Sequence, residues 1–129
     1  MQNHHRKRTR YQVMTPKFKL LQERIDRILD PDEIMLEIMD IYSDVEVIPE
    51  AGKHYTFVYS PKTPNILYDQ YPLVAVLSIE KWGFKGINYH WGAMRNYTWP
   101  ELVGNLHIIP SEDAGPLRSV PYRNFQTSI

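Results

Sequence analysis

The sequence lacks three features that would each point to a particular class of protein. It contains no cysteine, which excludes disulfide bonds, thiolate metal ligands and cysteine nucleophiles. No apolar run approaches the roughly 18–20 residues of a membrane-spanning helix, and the polar first ten residues lack the apolar segment of a secretory signal. With a length of 129 residues, these absences predict a single domain in the cytoplasm or in a particle assembled there.

The net charge is also zero, but the basic and acidic side chains are distributed unevenly along the chain. Residues 1–24 hold seven basic side chains and one acidic one, whereas residues 25–50 hold nine acidic side chains and one arginine. Residues 51–129 hold seven basic and five acidic side chains. Blocks of one sign bear on partners and assembly rather than on fold.

The basic block begins with residues 1–14, which we interpret as an extended arm because they show no apolar periodicity. Three roles fit the arm: contact with an acidic groove on a neighbouring subunit, contact with nucleic acid phosphates, or solubilisation without any partner. The candidate contact residues are the four cations Arg6, Lys7, Arg8 and Arg10.

Residues 15–44 predict two helices. Thr15-Pro16 and Asp30-Pro31 each combine a capping side chain with a proline at the first helical position, and apolar residues follow at helical spacing. The second helix is apolar over much of its circumference, so we expect it to pack against its own domain and against a partner. Its candidate partner-binding residues are Met35, Leu36 and Met39.

Residues 45–129 predict short strands separated by turns. We expect extended chain at 45–50 and strands at 55–59, 73–79, 87–91 and 106–109, with the 73–79 strand central and buried. Residues 82–86 are interpreted as a tight connection, residues 111–116 as a polar loop and residues 120–125 as a tail with aromatic anchors. The predicted fold class is α+β, in which the arm and helical pair precede a small, SH3-like, partly open β-barrel.

The residues that usually carry catalysis are present but scattered. His54, His90 and His107 stand alone on predicted strands, whereas zinc requires three or four converging ligands. The carboxylates show no spacing tied to a mechanism, and no phosphate-cradling or nucleophile-elbow motif occurs. The sequence therefore predicts no enzyme, no cofactor and no metal site.

Aromatic side chains are abundant in the second half of the chain. Trp82, Tyr89 and Trp91 are candidate partner-binding residues, for which an aromatic groove would suit a proline-rich peptide, a sugar or stacked bases. The alternative interpretation is that the rings fill the barrel and supply a subunit interface. We favour the second interpretation.

Three segments in the region 55–91 carry a resemblance. They are Tyr59-Ser60-Pro61-Lys62, then residues 68–74 with Tyr68-Asp69 and Pro72-Leu73-Val74, then Gly83-Phe84-Lys85-Gly86-Ile87-Asn88-Tyr89-His90-Trp91. In this order they resemble a pattern in small virion structural proteins of contractile-tailed bacteriophages. The resemblance covers about 37 of the 129 positions and implies a phage structural role. Where this chain continues through Gly92–Tyr97 to Trp99-Pro100, the pattern leads us to expect a helix-forming stretch.

The leading hypothesis is a non-enzymatic structural subunit of a phage virion, in the tail baseplate or hub. Its partners would be other virion structural proteins in a symmetric multi-subunit assembly, formed in the host cytoplasm without a membrane. The alternative hypothesis is a nucleic-acid-binding protein that acts at packaged DNA ends or in the portal and neck channel.

Overall fold

A computed structural model describes residues 14–60 and 70–123. The predicted arm apart from Met14, residues 61–69 of the region that carries the resemblance, and the last part of the predicted tail therefore lie outside the described residues. The described chain folds as a mixture of helices and antiparallel sheet, which confirms the α+β prediction.

Two helices come first, at the positions that their capping residues predict. Helix α1 spans Pro16–Arg24, and the Thr15 hydroxyl accepts a hydrogen bond from the backbone N–H of Phe18 at 3.2 Å. Helix α2 spans Pro31–Ile41, and the Asp30 carboxylate accepts from the N–H of Asp32 at 3.3 Å. In both helices the proline occupies a position whose N–H has no partner within the helix, so the residue begins the helix without loss of a bond.

Six strands follow in the described residues, together with one further α-helix and two short 3₁₀ segments. The strands are β1 Val45–Glu46, β2 His54–Tyr59, β3 Leu73–Ile79, β4 Gly83–Asn88, β5 Ala93–Thr98 and β6 Leu102–Ile109. The 3₁₀ segments are Trp99–Glu101 and Val120–Tyr122, and helix α3 spans Ser111–Leu117. The strands form one antiparallel sheet in the order β1-β6-β2-β3-β4-β5, so β3 is interior as predicted.

The two faces of the sheet bury different side chains, because neighbouring residues of a strand point to opposite faces. Thr56 pairs with Leu73, while Tyr55 pairs with Val74. Leu73 joins a cluster with the helices, and Tyr55 and Val74 join a second cluster on the other face. The helix-side cluster includes Leu21, Ile34, Met35, Ile38, Tyr42, Ile109, Leu117 and Tyr122.

The second face is strongly curved around aromatic rings. Phe57 on β2 and Tyr97 on β5 have ring centroids 5.5 Å apart, although two strands lie between theirs in the sheet. In a flat sheet such strands would be separated by about 14 Å. The N–H of Thr98 also donates to the Tyr59 hydroxyl at 3.3 Å. The sheet therefore curls toward a barrel that stays open between its edge strands β1 and β5.

The predicted tight connection at residues 82–86 is wrong, because Gly83 and Gly86 lie within strand β4. The two glycines allow β4 to approach its neighbours β5 and β3 closely. A Cβ on Gly83 would lie 1.8 Å from the Tyr97 carbonyl oxygen, and one on Gly86 would lie 2.2 Å from Val74 Cγ1. The turn occupies residues 80–83 instead, where Glu80 and Gly83 exchange backbone hydrogen bonds at 2.7 and 3.4 Å.

The predicted strand at residues 87–91 is also wrong beyond Asn88. The side-chain oxygen of Asn88 accepts from the N–H groups of His90 and Trp91 at 2.8 and 3.3 Å, which folds the chain into a turn. Gly92 completes the turn with φ +65°.

Two elements were not predicted. Strand β5 occupies part of the stretch for which the resemblance led us to expect helix, and it lacks apolar alternation because only Tyr97 is buried on this edge strand. Helix α3 replaces the predicted polar loop at 111–116, because Asp113, Ala114 and Leu117 are buried against the rest of the chain. Tertiary contacts thus override the turn signals of Gly115 and Pro116.

Candidate functional site

The open end of the barrel forms an apolar groove of about 520 Å³. We call this surface the mouth. Its lining comes from the segment after β1, the β3–β4 turn and the start of β6. The lining residues are Val47, Ile48, Ile79, Glu80, Lys81, Trp99, Leu102 and Gly104.

Hydrogen bonds to backbone carbonyl oxygens hold the two sides of the mouth in place. The N–H of Trp99 donates to the Trp82 carbonyl at 3.1 Å, and the Trp99 indole Nε1–H donates to the Lys81 carbonyl at 2.8 Å. On the other side, Gly52 and Lys53 exchange backbone bonds with Val76 at 2.9 and 3.0 Å. The segment that carries Val47 and Ile48 is therefore fixed between β1 and a turn that is bonded to β3.

Several apolar side chains at the mouth remain in solvent. Val47 is 76% exposed and Ile48 is 62% exposed. Ile79 adds a further partly exposed side chain at the end of β3. Neighbouring exposed apolar residues of this kind usually mark a surface that another molecule covers.

A second groove of about 430 Å³ continues from the mouth past the indoles of Trp82 and Trp99. It shares Lys81 and Trp99 with the mouth, and Glu101 lies at its wall. The Glu101 carboxylate accepts from the Tyr59 hydroxyl at 3.2 Å and from the Thr98 hydroxyl. These bonds fix the carboxylate in place.

Carboxylates surround the segment that leads from α2 to the mouth. Asp40, Asp44, Glu46 and Glu50 occur between residues 40 and 50 without a lysine or arginine. Arg24 contacts Asp40 at 2.6 Å, and Lys53 contacts Glu46 at 3.5 Å as well as Glu50. Glu46 and Glu50 are the carboxylates next to Val47 and Ile48, whereas the Asp44 carbonyl accepts from the N–H of Ile108, near the other end of β6.

The helical candidates from the sequence fall in three different environments. Met35 is 1% exposed and belongs to the helix-side core, so its side chain is not available to a partner. Met39 is half-buried against the same core, and Leu36 is 61% exposed. Leu36 alone of the three lies on the surface, because the other two face the sheet. The cations Arg6, Lys7, Arg8 and Arg10 lie outside the described residues.

The three aromatic candidates do not form one site. Trp82 lies in the turn before β4, whereas Tyr89 and Trp91 lie in the turn after it. The six residues of β4 separate these turns by about 20 Å. Only Trp82 lies beside the mouth, so a groove that uses all three rings is excluded.

The histidine rings of two candidates are bonded within the fold. His54 Nε2 and the Tyr89 hydroxyl are 2.7 Å apart, and burial lowers the pKa of His54 below its ordinary value. His107 Nδ1 donates to the Tyr42 carbonyl at 2.7 Å. His90 is in the turn after β4 rather than on a strand, with its ring edge-on to Tyr122. Within residues 14–60 and 70–123, no group of three potential ligands could hold a metal ion.

Sequence reasoning missed a buried carboxylate that joins three elements. Asp113 on α3 is 2% exposed, and it accepts hydrogen bonds from the Tyr42 hydroxyl at 2.8 Å and from the Thr15 hydroxyl at 2.8–2.9 Å. Burial and the adjacent carboxylate raise the pKa of Tyr42 far above its ordinary value. Asp113 thereby ties the start of α1 and the end of α2 to α3.

Two further tyrosines donate to carboxylates in the same manner. Tyr55 donates to Glu46 and accepts from the N–H of Glu50 at 2.9 Å, while burial and Glu46 raise the pKa of Tyr55 to about 12. Tyr71 donates to Asp32, and burial again raises its pKa. These bonds give the tyrosines and carboxylates a structural role.

The mouth itself was also missed by sequence reasoning. The available signal is that Val47 and Ile48 are consecutive apolar residues, which cannot both face one side of a strand. The alternation around them predicts extended chain but does not indicate what the second face of that chain contacts.

No family model matches the chain, and no curated protein or solved structure is similar to it. Among the residues that the structure describes, no helix is long and apolar enough to cross a bilayer.

Proposed function

We propose that the chain is a non-enzymatic structural subunit of a contractile-tailed bacteriophage virion. Its place would be the tail baseplate or hub, where it docks on neighbouring subunits through the mouth. The observation that carries the docking role is the group of exposed apolar side chains at the mouth. The phage assignment rests on the resemblance at residues 59–91.

Burial of the mouth would supply the affinity. Apolar surface contributes about 25 cal/mol per Å² when it leaves water, and β-branched Val47 and Ile48 lose little side-chain freedom on binding. Trp82 and Trp99 beside them are of the residue type that most often dominates protein interfaces. A protein partner with apolar side chains therefore fits the surface.

The charge of the described residues favours protein over DNA as the partner of the body. Of the 15 acidic side chains only Asp69 lies outside the described residues, whereas five of the 15 basic ones do. The described residues consequently carry 14 acidic and 10 basic side chains, a net charge of −4. A negative body repels phosphates.

We also propose that the curved sheet is a barrel of the SH3-like kind. The short strands, the antiparallel order and the aromatic filling support this architecture. The helices would then cover the outside of the barrel and leave the mouth free for docking.

Crosslinking mass spectrometry on intact virions tests the proposal. Lys81 lines the mouth, while Lys17 is an exposed residue of α1 and provides the control. We expect an amine-reactive crosslinker to join Lys81 to other virion chains more often than Lys17. Crosslinks from Lys81 that stay within its own chain, or absence of the chain from virions, would contradict the proposal.

The nucleic-acid alternative depends on the cations at residues 6–10. It predicts DNA affinity that falls steeply with salt and is lost in the R6S/K7S/R8S/R10S variant. DNA binding that responds neither to salt nor to these substitutions would reject that alternative.

A further inference from the structure

The mouth adjoins open backbone as well as apolar side chains. Strand β1 has only two residues and pairs with Leu106 and His107 of β6. Within the described ranges no strand pairs with the outer side of β6 from Leu102 to Asn105. Open backbone of this kind accepts an extended chain segment by strand addition, with alternate side chains placed in pockets.

The charge beside the mouth selects for a basic segment. Asp44, Glu46 and Glu50 flank Val47 and Ile48 in the chain, and Glu80 lines the groove. Lys53 pairs with both Glu46 and Glu50, and Lys81 lines the groove together with Glu80, so two lysines accompany three carboxylates beside Val47 and Ile48. An occupant with cations next to apolar residues therefore matches the surface.

The chain itself contains such a segment. Arg6, Lys7, Arg8 and Arg10 precede Tyr11 and Val13, and these two apolar residues are two positions apart. In an extended segment residues two apart share one face. Tyr11 and Val13 would therefore enter the groove together while the cations reach the carboxylates.

The position at which this segment joins the described chain favours a contact between copies. Thr15 is bonded to Asp113 on α3, which follows the C-terminal end of β6. The mouth is formed at the other end of β6, about 20 Å away along the strand. A donor at one end and an acceptor at the other end produce head-to-tail contacts, which close into rings or extend into filaments.

We propose that the mouth of one copy binds residues 1–13 of a second copy, with Tyr11 and Val13 in the groove and the cations against the carboxylates beside β1. This inference rests on the proposed docking role of the mouth and adds the identity of the occupant. Val13 is two positions from Thr15, a reach of about 7 Å when extended, so Val13 cannot enter the mouth of its own chain and the mouth of the second copy must lie against the start of α1.

Sedimentation velocity with two full-length variants tests the contact. The arm variant R6S/K7S/R8S/R10S keeps an intact mouth, and the mouth variant V47S/I48S keeps an intact arm. We expect the unsubstituted protein to self-associate, with a dissociation constant that rises about a hundredfold in the mouth variant. Each variant alone should be monomeric at concentrations where the unsubstituted protein assembles.

The decisive sample is an equimolar mixture of the two variants. The arm of the mouth variant should enter the mouth of the arm variant, so the mixture should form one-to-one dimers that high salt dissociates. The control is Met94→Ser, which alters a 59% exposed side chain outside the mouth and should assemble like the unsubstituted protein. A monomeric mixture would overturn the inference, and so would a monomeric unsubstituted protein.

The sedimentation and crosslinking experiments distinguish a failure of this inference from a failure of the proposed function. If Lys81 crosslinks to other virion proteins while the mixture stays monomeric, the docking role stands and this occupant is wrong. If the mixture dimerises but Lys81 makes no intermolecular crosslink in virions, the self-contact stands and the proposed virion role is wrong.

Discussion

The two faces of the sheet are filled in different ways. On the helix side, aliphatic residues such as Leu21, Ile38 and Leu117 pack between helices and strands. On the concave side, the rings of Phe57, Tyr59, Phe84 and Tyr97 meet with centroids 5.2–6.3 Å apart, most of them edge to face. The first face is held by helices that can adjust their positions, whereas the second is held by ring geometry inside a curled sheet.

This difference indicates where substitutions are tolerated. A helix interface can relax around an altered aliphatic side chain, so volume-conserving changes cost little there. The concave face has no separate layer that could shift, and β4 approaches its neighbouring strands so closely that two of its positions accept only glycine. We therefore expect the aromatic face to be the more sensitive of the two.

The largest effect is expected from Phe57, whose ring contacts three other rings. Phe57→Ala should lower the free energy of unfolding by about 4 kcal/mol in urea denaturation, through lost burial and a cavity. Phe57→Leu should still cost about 2 kcal/mol because the ring contacts are lost. The control, Ile38→Leu on the helix side, should cost less than about 1.5 kcal/mol. If Phe57→Leu and Ile38→Leu lowered the free energy of unfolding equally, the two faces would not differ in sensitivity.

Gly83 should come next. Gly83→Ala should cost about 3 kcal/mol, because the added Cβ would overlap the Tyr97 carbonyl and push β5 away. The matched control is Gly115→Ala on α3, where the added Cβ meets nothing within 4 Å, and it should be neutral or slightly stabilising. Similar unfolding curves for both variants would show that strands β4 and β5 are not in close contact.

On the helix side, the most sensitive position should be polar. Asp113→Ala should cost about 2–3 kcal/mol, because it leaves the buried Tyr42 hydroxyl without an acceptor. A double-mutant cycle with Tyr42→Phe measures this coupling directly. Additive costs of the two substitutions would show that the hydrogen bond contributes nothing to stability.

Alkaline pH should destabilise both faces through their tyrosines. The folded-state pKa values of Tyr42, Tyr55 and Tyr71 are raised, that of Tyr55 to about 12. Between pH 10 and pH 12 the unfolded chain therefore holds fewer protons than the folded one, and stability falls as pH rises. Urea denaturation at pH 8, 10 and 11 should show this fall in the free energy of unfolding, and the fall should be shallower in the Tyr55→Phe variant. A free energy of unfolding that stays constant above pH 10 would contradict the raised pKa values.

The smallest effect on stability is expected at the mouth. V47S/I48S changes two highly exposed side chains and should alter the free energy of unfolding by less than about 0.5 kcal/mol. The same variant should have a large effect on association. A strongly destabilised variant would show that these residues belong to the core rather than to a docking surface.

Local sequence signals predicted part of this fold, and they failed in segments whose secondary structure depends on tertiary contacts. Thr15-Pro16 and Asp30-Pro31 begin helices because capping is a property of adjacent residues. Gly83 and Gly86 resemble a turn in sequence, yet they lie in a strand because of what β3 and β5 bring near them. Strand β5 and helix α3 each depend on a few buried residues, Tyr97 in one case and Asp113 and Leu117 in the other.

The candidate site was less predictable than the fold. Exposure of Val47 and Ile48 depends on how the segment after β1 crosses the end of the barrel, and no local pattern encodes that path. Met35 and Leu36 are adjacent in sequence, but only the packing of α2 decides that the first is buried and the second exposed. The acidic block at residues 25–50 could be read from the sequence, but not that only its last members, Glu46 and Glu50, adjoin the apolar residues of the mouth.

The central claim is that the mouth is covered in the assembled state. Hydroxyl-radical footprinting compares side-chain oxidation in the purified protein with that in intact virions. We predict that Val47, Ile48 and Trp82 become protected on assembly while Trp91 and Met94, at the far end of β4 and β5, stay reactive. Unchanged oxidation at the mouth together with protection of Trp91 and Met94 would contradict the account.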